Sequence, residues 1–476
     1  MAITGWAFTQ HGGTVSWDKA GVHTQTPQGP PKVDTLTAWL RGVNPAATPK
    51  PVQDALKVDA KKRNPAQQKL IRDYYLEHVY PPVRATFAPL HKELAAAGAA
   101  RDALDKQFPS TLVFKEAAQP RPAFILKRGE YTQRGDKVDR NTPGFLPPLP
   151  ADLPRNRLGF AQWLVAPTNP LTARVAVNRF WQQIFGTGLV KTTEDFGAQG
   201  EAPSHPELLD WLALEFSTPG ADGAWNVKQF MRLLVTSATY RQSVKVTKDG
   251  LVRDPANRLY ARGPRFRLDA ETLRDQALAV SGLMVEKLGG PGVKPPQPAG
   301  LWEAVGYLTS NTRNFKADAG VERVHRRSLY TFWKRTAPPP QMSTLDAPSR
   351  EACRVRRERT NTPLQALLML NETQYVEASR ALAERTMKEA GDRPEDRIVH
   401  MFRLATARKP DAVELQALTT AFSDHLATYT RNAEAAKKLI AVGESKPAAG
   451  LNPSELAAWT MIANVILNLD EVINKN

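Results

Sequence analysis

Residues 345–365 read Leu-Asp-Ala-Pro-Ser-Arg-Glu-Ala-Cys-Arg-Val-Arg-Arg-Glu-Arg-Thr-Asn-Thr-Pro-Leu-Gln, a cationic segment that leads directly into the start of a helix. Thr362, Pro363 and Gln365 fit the N-cap, the first-turn proline and the third position of a capping box. The backbone here is therefore expected to be fixed. Fixed arginines either neutralise carboxylates of the same protein or face an anionic partner, and these two arrangements imply different functions.

The composition is that of a globular protein with a marked positive charge. The chain has 476 residues, of which 42% are hydrophobic and 24% are charged, enough for several domains and a large core. Its 64 lysines and arginines outnumber its 48 aspartates and glutamates, and the resulting charge of +16 favours anionic partners. The single cysteine, Cys353, excludes an intrachain disulfide, a thiolate zinc cluster and a C-x-x-C-H haem attachment. No run of 18 apolar residues is present, so no transmembrane segment is expected.

The spacing of apolar residues predicts a mainly α protein with a few short strands, preceded by a small mixed α/β N-terminal region. Residues 1–25 alternate apolar and polar side chains around a Gly-Gly turn, which is typical of a hairpin cut from a larger β domain. Residues 26–150 are expected to be a connector region of helices and short strands. Residues 151–476 are expected to form one multihelical domain.

Helices within the multihelical domain are predicted from 3.6-residue periodicity and from capping signals. The predicted helices cover residues 158–165, 172–185, 208–216, 226–236, 269–286, 363–389, 394–406, 411–430 and 453–467. The helix that contains residues 208–216 is expected to begin with a capping box of Ser204 and Glu207.

Eight blocks of sequence, several of which contain tryptophan, carry a resemblance to a known bacterial family. The blocks are Phe124 to Tyr131 (Phe-Ile-Leu-Lys-Arg-Gly-Glu-Tyr), 146–150, Asn169 to Gly188, 194–211, 236–243, 262–268, 326–336 and 350–364. This pattern resembles the cytochrome-associated C-terminal domain of unknown function (PSD-type), which is found mainly in planctomycetes and verrucomicrobia. Residues 5–21 resemble the tail of a laminin-G-like insert that often precedes this domain.

The resemblance implies architecture rather than chemistry, because no activity is assigned to the family. Its members are typically exported, which implies a periplasmic or extracellular location. They commonly carry a haem-binding cytochrome c-like domain upstream, so no cofactor is expected in this chain, and haem is expected only in an upstream domain that the chain lacks. The missing haem cysteines and export signal predict a C-terminal fragment or a truncated gene. The expected partner is an acidic polysaccharide or a haem-bearing sister domain.

Residues 321–360 hold ten cations and four acids, a local net charge of +6. The cations expected to bind an anion are Arg326, Arg327, Lys334, Arg335, Arg350, Arg354 and Arg357. If residues 349–359 are helical, the last three share one face, and their guanidinium groups suit sulfate, phosphate and carboxylate. The alternative is an internal network with carboxylates, in which Arg354 belongs to a buried pair. No helix-turn-helix, zinc-finger or RNA-binding signature accompanies the cluster, so nucleic acid is not an expected partner.

A second cluster contains groups capable of catalysis. Asp195, Glu201 and His205 lie on a glycine-rich stretch, and carboxylates near a histidine can perform acid–base chemistry in a glycan-active hydrolase or lyase. Their spacing matches no metal-binding motif, and no pair of histidines lies at ligand spacing, so no metal site is predicted. The structural alternative is that Asp195 or Glu201 pairs with Arg174 or Arg179. A purely structural interaction module is a third interpretation of the whole chain.

Overall fold

The computed structural model describes residues 33–475, apart from Pro109, Pro219, residues 221–222 and Asn311. The hairpin predicted at residues 1–25 lies outside the described residues. The chain divides into two compact units after Leu112. This division falls inside the predicted connector region, and the boundary near residue 150 stays a prediction.

The described part of the first unit contains four α-helices. They are α1 (Leu36–Gly42), α2 (Lys50–Lys57), α3 (Pro65–Tyr74) and α4 (Pro81–Asp105). Trp39 of α1, Ala55 of α2, Ile71 of α3 and Tyr75, which follows α3, form its buried core, to which α4 contributes no buried residue. Residues Tyr75–Val79, which join α3 to α4, form one turn of π-helix.

The second unit is mainly helical, which confirms the predicted fold class. Its helices are α5 (Arg157–Leu164), α6 (Thr172–Phe185), α7 (Pro206–Ser217), α8 (Val227–Thr236), α9 (Lys248–Arg253), α10 (Ala270–Ser281), α11 (Val321–Val324), α12 (Pro340–Thr344), α13 (Pro363–Asn371), α14 (Thr373–Glu389), α15 (Pro394–Thr406), α16 (Ala412–Arg431), α17 (Ala433–Ile440), α18 (Pro453–Leu467) and α19 (Asp470–Ile473). Its strands are β1 (Ala123–Leu126), β2 (Arg134–Val138), β3 (Phe266–Arg267) and β4 (Asn474–Lys475), which form the antiparallel pairs β1–β2 and β3–β4.

Apolar cores hold the helices of the second unit together. The largest surrounds Trp459 of α18, a fully buried side chain enclosed by α14 to α17, whose ring stacks on Phe422 at 3.8 Å between centroids. Another lies where α6, α7 and α8 meet, around Trp181. A third joins α10 to α12, α13 and α14 through residues such as Leu273 and Tyr375. Buried apolar contacts therefore hold these helices in place.

A buried polar cluster fastens the loop after α17 to α14. The Glu377 carboxylate accepts hydrogen bonds from the Ser445 N–H at 2.7 Å and from the Ser445 hydroxyl at 2.5 Å, and His325 Nε2 lies 3.2 Å from the same carboxylate. Arg380 donates to Glu384 and to the Ser445 carbonyl, both at 2.7 Å. Burial alone would raise the pKa of Glu377, but hydrogen bonds from His325 and Ser445 hold it at about 2.

Three helix predictions are wrong in detail. The helix predicted at residues 269–286 ends at Ser281, because Gly282 adopts the left-handed conformation that terminates it. The single helix predicted at residues 363–389 is divided at Glu372, whose backbone is extended and whose carboxylate accepts hydrogen bonds from the first N–H groups of α14. The predicted capping box of Ser204 and Glu207 does not form. α7 has His205 at its N-cap with no side-chain cap, because the Ser204 hydroxyl donates to a carbonyl of the preceding loop at 3.4 Å.

Candidate anion-binding site

The helix start predicted at the end of the cationic stretch is confirmed. α13 begins at Pro363, and Thr362 and Gln365 form the reciprocal capping box. The buried Gln365 side chain also donates to the Thr344 carbonyl and to the Thr360 hydroxyl, both at 2.9 Å. These hydrogen bonds fix the backbone at the C-terminal end of the cationic stretch.

The arginine segment, residues 350–359, is irregular, so the helix considered for it is absent. Its base is closed by Asp346, which accepts hydrogen bonds from the Thr360 N–H at 2.7 Å and from Arg267 Nη2 at 2.5 Å. A helix over residues 349–359 would hold its ends about 15 Å apart, which is incompatible with this closure. Burial alone would raise the pKa of Asp346, but the hydrogen bonds from Thr360 and the charge of Arg267 hold it below its ordinary value.

Arg357 is held by the first turn of α10. Its Nη1 and Nη2 atoms donate to the two carboxylate oxygens of Glu271 at 2.5 and 3.2 Å, and Nη1 lies 3.8 Å from Asp269. Burial acts to lower the pKa of Arg357, but the pair with Glu271 raises it above its ordinary value. Such a two-bond pair fixes the plane of the guanidinium group.

Two more arginines of the segment stack on aromatic rings. The Arg350 guanidinium lies 4.4 Å from the centre of the Trp333 ring, and that of Arg359 lies 4.2 Å from the centre of the Phe266 ring. Arg359 Nε is 3.7 Å from Asp269 Oδ1 and makes no hydrogen bond with the described residues. Burial lowers the pKa of Arg359, since desolvation disfavours its charge more than Asp269 favours it.

Arg354 differs from its neighbours. Its side chain is exposed and forms no ion pair or side-chain hydrogen bond within the part of the chain that the structure describes. The expectation that Arg354 belongs to a buried pair is therefore wrong. Its neighbours Arg350 and Arg357 both lie near Glu271 of α10, the former at 4.0 Å, whereas Arg354 forms no such pair among the described residues.

Arg354 borders a cleft of about 220 Å³, here called the arginine cleft. It is lined by Arg179, Gln182, Gln183, Asp269, Arg354, Val355, Arg357 and Arg359. Arg179, on α6, is also exposed and forms no ion pair with a described residue. From the sequence, Arg179 was expected only as a partner for Asp195 or Glu201. The spacing of Arg179, Gln182 and Gln183, which places them on one helix face, is the signal that could have indicated this cleft.

The other cations predicted to bind an anion contact the protein elsewhere. Arg326 is buried and donates to the carbonyls of residues 287, 289 and 291 at 2.5 to 3.1 Å, so it lies in the interior rather than on a surface. Lys334 donates to the Thr312 carbonyl at 2.7 Å. Arg327 and Arg335 lie 3.7 and 3.6 Å from acidic side chains. None of these four lines the arginine cleft.

The acidic cluster does not assemble as a catalytic group. Asp195 accepts a hydrogen bond from a backbone N–H of its own turn at 2.7 Å, Glu201 pairs with Lys191 at 3.3 Å, and His205 Nδ1 lies 3.0 Å from the adjacent Ser204 hydroxyl. No hydrogen bond or ion pair joins Asp195, Glu201 and His205 to one another among the described residues.

The predicted partners of these acids are also wrong. Arg174 pairs with Asp210 at 2.6 Å rather than with Asp195 or Glu201. Glu194, the nearest acid in sequence, lies 3.6 Å from Arg356 of the arginine segment. The loop that contains Glu194, Asp195 and Glu201 therefore contacts the arginine segment through the Glu194–Arg356 pair.

A larger cleft, of about 960 Å³, is also lined by Arg359. Its lining includes Arg262, Arg359 and the acids Glu414 and Glu471. Both acids are bound by Arg408, and its hydrogen bonds lower the pKa of Glu414 to about 2. A carboxyl group so strongly acidic cannot donate a proton near neutral pH, which argues against its use as a general acid.

A search of the curated proteins and a search of the solved structures find no match. No helix among the described residues is long and apolar enough to cross a membrane. The PSD1 family model, described as "Protein of unknown function (DUF1553)", matches residues 156–422, more than half of the chain, and includes the arginine cleft. The chain therefore belongs to the PSD1 family of proteins of unknown function.

Proposed function

We propose that this protein binds an acidic polysaccharide by receiving one of its sulfate or carboxylate groups in the arginine cleft. The observation that carries the proposal is that Arg179 and Arg354 line this cleft without an acidic partner among the described residues. Guanidinium groups that line one concave surface without an acidic partner among the described residues suit an oxyanion, such as sulfate or carboxylate, that accepts two parallel hydrogen bonds.

The remaining arginines of the cleft supply a fixed wall. Glu271 holds Arg357, while Phe266 and Asp269 hold Arg359. Arg359 Nε is a buried donor without a hydrogen-bond acceptor among the described residues, and its lowered pKa means that an added negative charge would stabilise it. Because these two side chains are already positioned, little conformational entropy is lost when an anion binds.

The size of the cleft favours a single charged group. Its volume of about 220 Å³ is below the range of about 300–1,000 Å³ that is usual for sites enclosing a whole drug-sized ligand. A sulfate or uronate carboxylate fits this space, with the rest of the polymer lying outside. The chain's charge of +16 would add long-range attraction that depends on ionic strength.

Binding is favoured over cleavage of the glycan. A hydrolase or lyase needs an acid and a base within reach of one substrate bond, and Asp195, Glu201 and His205 are each engaged separately. A purely structural module does not require two exposed arginines without an acidic partner among the described residues to line one cleft, as Arg179 and Arg354 do.

The family resemblance supports two further parts of the proposal. Relatives are typically exported and associated with cytochrome domains, so the protein is proposed to act in the periplasm or outside the cell, beside a haem-bearing domain. Cell fractionation with an antibody against this chain tests the location. Recovery of the protein in the cytoplasmic fraction would contradict it.

The binding proposal is tested by titrating chondroitin sulfate, polygalacturonate and neutral dextran into the purified chain at several salt concentrations. Arg179→Ala and Arg354→Ala should each weaken polyanion binding and reduce its salt dependence, while dextran should not bind. Arg241→Ala is the matched control, because Arg241 is exposed and does not line the arginine cleft. Equal affinity of the wild type and both cleft variants would overturn the proposal.

The enzyme alternative is tested in the same samples. Release of new reducing ends that is lost in Asp195→Asn or Glu201→Gln would favour a glycan-active enzyme and displace the binding proposal. If no new reducing ends are released and the cleft variants bind more weakly, the binding proposal is supported.

A further inference from the structure

The first unit brings His91 next to two side chains, Glu77 and His78, that lie in an earlier segment of the chain. Glu77 and His78 lie in the π-helical turn Tyr75–Val79, and His91 lies in α4. One ligand atom from each of the three lies within 4.8 Å of the others. We propose that Glu77, His78 and His91 bind a divalent transition-metal ion such as Zn²⁺.

The distance between His91 and Glu77 fits two ligands of one metal ion better than a direct hydrogen bond. His91 Nε2 lies 3.4 Å from Glu77 Oε2, beyond the usual range of about 2.7–3.2 Å for a nitrogen–oxygen hydrogen bond. In a tetrahedral zinc site with bonds of about 2.0–2.1 Å, two ligand atoms are about 3.3–3.4 Å apart. The Glu77 and His91 atoms therefore already have the separation of two zinc ligands.

The chemistry of the three donors selects the class of ion. Two imidazoles and one carboxylate form a donor set used for zinc in proteins, with a fourth position left for water or substrate. Calcium and magnesium prefer oxygen ligands alone. Neither histidine is fully buried, so an ion has access to the cluster.

The backbone also marks this turn as unusual. The Tyr80 N–H donates to the Tyr75 carbonyl at 2.8 Å, the five-residue hydrogen bond that defines a π-helix. Single π-helical turns occur frequently at functional sites, because the wider turn re-aims side chains that an α-helix would direct elsewhere. Here the turn carries both Glu77 and His78.

The competing explanation is an aromatic stack. The His78 and His91 rings are nearly parallel with centroids 4.2 Å apart, and Tyr74 and Phe87 continue the stack at 4.7 and 6.0 Å. Stacking uses the faces of the two imidazole rings, whereas metal binding uses their nitrogen atoms. Phenylalanine in place of histidine separates the two, since it preserves the face and removes the nitrogen.

The test is calorimetric titration of the purified full-length chain with ZnCl₂, repeated with CoCl₂ and read by its visible absorption spectrum. His78→Phe and His91→Phe should each weaken Zn²⁺ binding roughly tenfold or more, remove the cobalt spectrum and keep the thermal midpoint of the metal-free protein. His425→Phe, on α16, is the matched control and should bind as the wild type does.

Wild-type affinity no higher than that of His78→Phe and His91→Phe would overturn the proposal and leave the stack as the role of these rings. An equal loss of Zn²⁺ affinity in His425→Phe would also overturn the proposal, because Zn²⁺ binding would then be a general property of the histidines.

Discussion

Arg267 binds both ends of the loop formed by residues 346–360, because its Nη2 atom donates to Asp346 at 2.5 Å and its Nε atom donates to the Thr360 carbonyl at 3.0 Å. Both side chains of the Arg267–Asp346 pair are largely shielded from water, with 7% and 17% of their surface exposed. This ion pair is therefore expected to matter more than the surface pairs around it.

Arg267→Ala should lower the free energy of unfolding by about 3–5 kcal/mol, because it leaves the Asp346 carboxylate without its partner. Urea unfolding followed by tryptophan fluorescence measures the change. Arg265→Ala is the control two residues away, since its pair with Asp470 is exposed and should contribute at most about 1 kcal/mol. Equal effects of the two substitutions would show that the loop base does not depend on Arg267.

Arg354→Ala should leave the free energy of unfolding within about 0.5 kcal/mol of the wild type, because an exposed, unpartnered side chain makes no contact to lose. Arg357→Ala, three residues away, should cost about 1.5–3 kcal/mol through the loss of its charged hydrogen bonds to Glu271. The same urea experiment compares them. A large loss in the Arg354 variant would return this residue to an internal network.

Glu377→Gln should destabilise the protein by about 1.5–3 kcal/mol near pH 7, where the native carboxylate is charged and hydrogen-bonded. The folded-state pKa of about 2 lies below the ordinary value of 4.5, so the carboxylate stabilises the fold above pH 4.5 and loses this effect as the pH falls towards 2. Unfolding midpoints of both proteins from pH 7 to pH 2 should therefore converge at the acidic end. A constant difference would contradict the assignment.

Gly443→Ala should destabilise the loop that rests on Glu377. Gly443 has a φ of +103°, and an added Cβ would lie 2.3 Å from Glu377 Cδ, so backbone strain and a steric clash add together. Gly450→Ala is the control, because its φ is +84° but nothing lies within 4 Å of the added carbon. Thermal unfolding should show a clearly lower midpoint for the first variant than for the second.

Local signals in the sequence were sufficient for much of the fold. The helices predicted at residues 172–185, 394–406 and 453–467 have those bounds in the structure, and the capping box at Thr362 and Gln365 forms as its motif predicts. Each of these features depends on residues within a few positions of one another, where periodicity and capping act.

The candidate site was less predictable because its contacts are long-range. Glu271 meets Arg357 across 86 residues of sequence, and Arg267 meets Asp346 across 79. Periodicity carries no information about such pairs, so the sequence left open whether the arginines face acids or solvent. In the structure Arg357 is paired with Glu271, whereas Arg354 has no acidic partner among the described residues.

The loop at residues 346–360 is closed at its base. We therefore expect that the chain can be cleaved within this loop while the two fragments stay associated. Trypsin can reach the exposed Arg354, yet the new ends would still be joined by Arg267 on one fragment and Thr360 on the other. The pairing of β3 with β4 also crosses the cut. A nicked molecule should thus run as one species in gel filtration and as two bands after denaturation, and the two halves should assemble when produced as separate polypeptides.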